Sequence, residues 1–170
     1  SLFVLGMMLL LSIELGMSFA LNEVFIGKYE RGEYDKGLVE AEMLINFPES
    51  YVAYYNLGNT YYQMGDMKKA INEYMEALKT VPYDKMCDVR LNLGLAMARM
   101  TEQTSDRFRD DLMEVVDVLL MDGCAAENGN GRHAGAQDLY DEIIAILNDP
   151  NSGNGNGNGN DDADETPPSE

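Results

Sequence analysis

The stretch from Tyr51 to Asp84, YVAYYNLGNTYYQMGDMKKAINEYMEALKTVPYD, decides the fold. Apolar residues recur at three- and four-residue spacing on either side of Gly65, the pattern of two amphipathic helices joined by a turn. Gly58, Ala70 and Ala77 are small, which lets the two backbones approach closely where they face each other. Leu57, Tyr61 and Tyr74 fill the space between them. Gly65 supplies the turn, and Pro82, which has no amide hydrogen, ends the second helix. The spacing predicts a helix hairpin with Gly58 packed on the Ala70–Ala77 face.

The same periodicity recurs outward from this unit, in Asn22–Gly32, Glu33–Phe47, Cys87–Met100, Asp106–Asp122 and Ala134–Asn148. Gly32, Pro48, Pro82 and Gly123 separate these segments, and no sustained period-two run predicts a sheet. Short connections imply antiparallel helix pairs. Upstream, Gly32-Glu33-Tyr34, Ala41, Leu44 and Pro48 supply a turn and second helix, with Gly37 where the central unit has alanine. Downstream, Leu93-Gly94 repeats the Leu57-Gly58 pair, slightly late for a strict repeat. Asp106–Asp122 lacks the small residues of a closely packed second helix. Ala134–Asn148 carries Leu139, Tyr140, Ile143, Ile144 and Leu147 on one side and reads as a closing helix. A stack needs one, because its last pair cannot bury an open face alone.

This arrangement resembles the tetratricopeptide repeat, with Tyr54 where that repeat usually has tryptophan. The resemblance implies an all-α fold of helix hairpins in a short right-handed solenoid with a capping helix, and non-enzymatic binding of a protein partner. A narrower resemblance rests on CDVRLNLGLAMA (Cys87–Ala98), LLMDGCA (Leu119–Ala125) and GRHAGAQDLYDEI (Gly131–Ile143). These are similar to a bacterial family of short membrane-anchored repeat proteins, often encoded beside MoxR-type AAA+ ATPases and von Willebrand A-domain proteins. That implies a scaffold in a cell-envelope complex, a von Willebrand A-domain protein as candidate partner, and no catalytic residue. The alternative is a soluble or cytoplasmic-facing co-chaperone that binds peptide tails.

In such a stack the first helix of each pair lines the inner face. Counted from the Leu-Gly pairs, the expected groove is Val52, Tyr55, Asn59 and Tyr62 in the central unit. Its counterparts are Asp88, Leu91, Leu95 and Ala98 downstream, and Asn22, Ile26 and Tyr29 upstream. Tyrosines suit a binding face, offering area and a hydroxyl at low entropic cost. Tyr55 stands where some repeats carry a lysine that grips a terminal carboxylate, which argues against that mode here. Asn56 and Asn92 are expected to satisfy backbone groups.

The flanks differ from the middle. Ser1–Leu21, SLFVLGMMLLLSIELGMSFAL, is apolar almost throughout and matches the roughly 20 residues a membrane-spanning helix needs. It reads as an anchor, or as a signal segment with a small-residue site at Ser18-Phe19-Ala20. Glu14 would cost about 2–3 kcal/mol at mid-membrane. Residues 22–148 form the repeat domain. Residues 149–170, rich in Gly-Asn and acids, have no large apolar side chains to offset ordering entropy and read as a disordered tail.

Composition excludes much. Of the formal charge of −18 over 170 residues, six acids lie in 149–170 and one in 1–21, with no base in either, so 22–148 carry −11. Such a domain has no electrostatic footprint for nucleic acid. One histidine and two cysteines are too few for a four-ligand zinc site, and no other metal, cofactor or small-molecule substrate is indicated. The 12 methionines read as core filler rather than copper ligands. His133 lies in a polar loop without a nucleophile and reads as a surface residue; Asp110, Asp111, Glu114 and Asp117 read as a solvated stripe. Cys87 begins one helix and Cys124 follows the end of the next, so an antiparallel pair brings them to the same end. A bridge would add roughly 4 kcal/mol in the chain-entropy model. It would require an oxidising compartment, consistent with a membrane protein whose repeat domain is extracytoplasmic.

Overall fold

A computed structural model describes residues 2–45, 50–102 and 105–149, and every regular element among them is helical. The order is α1 (Leu2–Glu30), α2 (Lys36–Ile45), α3 (Ser50–Gln63), α4 (Met67–Ala77), α5 (Met86–Met100), α6 (Phe108–Leu120), a 3-10 turn (Met121–Gly123) and α7 (Ala134–Asn148). Each helix packs on the next, and α7 turns back onto α5 as well as α6. The result is a short solenoid of helix hairpins closed by a capping helix. The expected turn at Pro48 and the tail beyond Asp149 lie outside the described residues.

Local chemistry explains where the helices begin. Asp35 Oδ1 accepts from the Leu38 amide at 3.3 Å, so α2 starts after it, later than the apolar pattern alone suggests. Asp66 caps α4 in the same way, accepting from the Lys69 amide at 3.2 Å. Gly65 precedes it with φ +81°, a left-handed turn that any Cβ would strain.

In the α3–α4 hairpin Ala70 and Ala77 are fully buried, as their size permits. The surface opposite Gly58 is nevertheless the Tyr74 ring rather than the alanine methyls. A Cβ added at Gly58 would lie 2.6 Å from Tyr74 Cε1. The bulk in this crossing comes from α4, and the missing side chain from α3. The α5–α6 hairpin uses the same device with aliphatic partners, a Cβ at Gly94 meeting Leu119 Cδ2 at 3.1 Å. That is why α6 packs closely without small residues of its own.

Two cores result. One joins Phe25, Val39, Leu57, Tyr61, Tyr74, Val89 and Leu93 from α1 to α5. The other gathers Phe108, Leu112, Val115, Leu119, Leu139, Ile143 and the cysteines. Cys87 and Cys124 are bonded, with Cα atoms 5.4 Å apart across a separation of 37 residues. Buried Gln137 staples the adjoining loop. Its Oε1 accepts from the Ala126 and Gly131 amides at 2.9 and 3.0 Å, and its Nε2 donates to Ala126 O at 3.1 Å.

α1 differs along its length. Its side chains from Val4 to Phe19 are largely exposed and apolar, whereas Phe25 is only 4% exposed. The boundary expected at Leu21 is thus a change of surroundings and not of backbone, which stays helical through it. By length and composition the helix can cross a membrane.

Candidate partner-binding groove

The first helices of the three pairs are tied side by side by polar side chains. Asn56 Nδ2 donates to Asn22 Oδ1 at 3.3 Å, and Gln63 Nε2 donates to the Tyr29 hydroxyl at 3.0 Å. One further helix along, Asn92 Nδ2 donates to the Tyr55 hydroxyl at 2.8 Å and to Asn59 Oδ1 at 2.9 Å. The Tyr74 hydroxyl donates to the same Asn59 oxygen at 2.7 Å. Asn56 and Asn92 therefore bond to side chains of neighbouring helices, not to the backbone groups expected from their place before the Leu-Gly pairs. Burial pushes the Tyr74 and Tyr55 hydroxyls above the usual phenol range, which keeps them protonated in this network.

A hollow of ≈220 Å³ opens beside these bonds, lined by Tyr29, Asn59, Tyr62, Gln63, Tyr74, Asn92 and Leu95. A second, of ≈400 Å³, is walled by Tyr62, Leu95, Ala98, Leu139, Ile143 and Ile146, with Arg99 and Glu142 among its polar lining. Tyr62 and Leu95 border both, so the two hollows adjoin, and their lining residues extend from α1 across α3 and α5 to α7. The Arg99 guanidinium lies over the Tyr62 ring, 5.2 Å from its centroid.

The expected groove residues divide. Tyr29, Asn59, Tyr62, Leu95 and Ala98 come together here. Val52, Tyr55 and Asp88 line a separate hollow of ≈210 Å³ with Tyr51, Lys85 and Val89. Asn22 is held by Asn56, and Ile26 is 41% exposed outside both hollows. Leu91 sits under α7, where a Cβ on Gly135 would come within 2.9 Å of it. The wall supplied by Leu139, Ile143 and Ile146 was not foreseen. The spacing in α7 shows an apolar face, but not that part of it borders a groove.

His133 is built into the fold rather than free on a loop. Its Nδ1 accepts from the Ala136 amide at 3.1 Å and caps α7, which leaves the proton on Nε2, 3.2 Å from Asp88 Oδ1. Among the described residues no cluster of His, Cys, Asp or Glu is arranged to hold a metal.

The Leu57-Gly58 hairpin with its turn at Gly65, stacked on parallel neighbours, calls for comparison with known helical repeats. Residues 51–84 match the tetratricopeptide repeat. No curated protein matches the chain. Tetratricopeptide repeats are in general non-catalytic and bind protein partners, so the repeat supports a protein–protein interaction scaffold.

Proposed function

We propose that this chain holds a protein partner in the groove that runs from Tyr29 through Tyr62 and Leu95 to Ile146, and that α1 anchors it in a membrane as part of a bacterial cell-envelope complex. The adjacency of the two hollows, which share Tyr62 and Leu95 as lining, carries the reading. A segment laid along it would bury apolar anchors against Leu95, Leu139 and Ile143 while its polar groups meet Asn59, Gln63 and Arg99. The domain's charge of −11 favours a partner whose contacting face is neutral or basic. A von Willebrand A-domain protein of the same membrane system is the candidate, on resemblance. The buried Cys87–Cys124 bond supports an extracytoplasmic repeat domain, since such bonds persist in oxidising compartments.

Crosslinking capture from native membranes tests the groove. Tyr62→Ala or Leu95→Ala should each reduce partner affinity about tenfold, or ~1.4 kcal/mol. A chain ending at Asn148 should capture the partner undiminished. Capture that survives both substitutions and is lost with the tail would refute the groove. Thiol labelling with a membrane-impermeant reagent in intact cells should modify the cysteines only after reduction, and labelling without reductant would refute the bridge.

A further inference from the structure

Resting on the reading of α1 as a membrane span, we infer that one end of the repeat stack lies against the same bilayer. This end is formed by the start of α3, the α4–α5 loop and the α6–α7 loop, and it places Tyr83 at the level of the lipid headgroups.

The first support is the continuity of α1. It is one helix from Leu2 to Glu30, with no proline and no left-handed residue, so no flexible joint separates the apolar half from the half that packs in the repeats. A domain standing clear of the membrane would need a spacer, and the helix contains none.

The second support is register. The Asn22–Asn56 and Tyr29–Gln63 bonds make α3 run parallel to α1 and fix their relative height. Ser50 precedes Asn56 by roughly 9 Å of helix, so α3 begins level with Gly16, below the last residues of the apolar run. The Tyr55–Asn92 bond and the Tyr62–Arg99 stack set α5 in the same way, bringing Met86 level with the start of α3. An apolar run ending at Leu21 therefore carries the starts of α3 and α5 down to the edge of the hydrocarbon.

The third support is the chemistry of that end. Tyr83 is 63% exposed and Met121 50% exposed. The Arg132 guanidinium lies 4.1 Å over the Tyr83 ring, Lys85 is exposed beside it, and Tyr51 stands at the start of α3. Aromatic rings with a polar tip, next to cations on long apolar stems, suit the boundary between hydrocarbon and water. Ion pairs do not separate the two ends, since this one carries Arg90–Asp122 and Lys79–Glu76 and the opposite one Lys28–Asp35, Lys69–Asp66 and Arg107–Asp111.

The chain has no tryptophan, so single tryptophans report position directly. Leu9→Trp, Tyr83→Trp and Met64→Trp would be made separately in the full chain, the last placing its probe in the α3–α4 turn at the far end. Each protein is put into lipid discs of phosphatidylcholine with and without bromine on the upper acyl carbons. The expected result is quenching of Leu9→Trp and Tyr83→Trp, with Met64→Trp unchanged. Quenching of Leu9→Trp alone would overturn the docked end and leave the anchor standing. Equal quenching of Tyr83→Trp and Met64→Trp would overturn it too, because the stack would then lie on its side. An unquenched Leu9→Trp would remove the anchor itself, and the docked end with it.

Discussion

The α3–α4 hairpin and the α5–α6–α7 unit share a plan but not a means of support. In both, a glycine of the first helix lets the second come close. Gly58 meets an aromatic ring whose hydroxyl is tied into a network of amides. Gly94 meets the branched ends of Leu119 and Val115, and its unit is further held by the Cys87–Cys124 bond, the Gln137 staple and the α7 cap. The central hairpin depends on contacts a few turns apart in sequence and on its two neighbours. Among the described residues the last unit has a neighbour on one side only, and cross-links add support there.

Five variants would break or sharpen this contrast. The largest effect is expected from replacing Cys87 and Cys124 together by Ala, which should cost about 4 kcal/mol of stability in denaturant unfolding. Reductant should reproduce that loss in the parent chain and have no effect on the variant. Gly58→Leu should follow, costing about 3 kcal/mol, because the buried Tyr74 ring has nowhere to go. Gly94→Ala should fall within about 0.5 kcal/mol of the parent, since the flexible Leu119 end can yield and alanine favours the helix. Equal losses in a Gly58→Ala and Gly94→Ala pair would mean that the two crossings do not differ.

Tyr74→Phe should cost about 1 kcal/mol by removing the donor to Asn59. It also has a pH signature. The folded state raises the Tyr74 hydroxyl above its unfolded value of 10.0, so the folded state binds that proton more tightly. The associated stability is intact below pH 10 and falls as pH rises above it. An alkaline titration of thermal stability should therefore decline less steeply in Tyr74→Phe than in the parent, with the remaining slope including Tyr55. A small effect, about 0.5 kcal/mol through the lost α7 cap, is expected from His133→Ala. Amide exchange should show it as faster exchange at Ala136 and its neighbours. An effect spread over the central hairpin would mean that the two regions are coupled more tightly than their separate cores suggest.

Much of the central hairpin could be read in advance, because helix period, turn glycine and small facing residues are local signals. Leu57, Tyr61, Ala70, Tyr74 and Ala77 are all buried as their spacing implies. The groove was less legible. Tyr29, Asn59, Tyr62 and Leu95 could be placed on it by counting from the Leu-Gly pairs, but Leu139, Ile143 and Ile146 could not. Their place depends on the angle at which α7 returns over α5, and periodicity within α7 carries no information about that angle. Tyr55 illustrates the converse. Its position in the repeat points inward, yet Asn92 engages its hydroxyl and it borders a different hollow from Tyr62.

Helix content, the hairpin order, the acidic charge of the domain and the apolar half of α1 follow from residue type and spacing alone. They depend on interactions within a turn or two of chain, or on simple sums over it. Whether α1 breaks at Leu21, what faces Gly58, which amides bridge neighbouring helices and how the two hollows adjoin were decided by packing. Each of those depends on side chains brought together from distant segments, where shape and hydrogen-bond partners are available only once the helices have stacked.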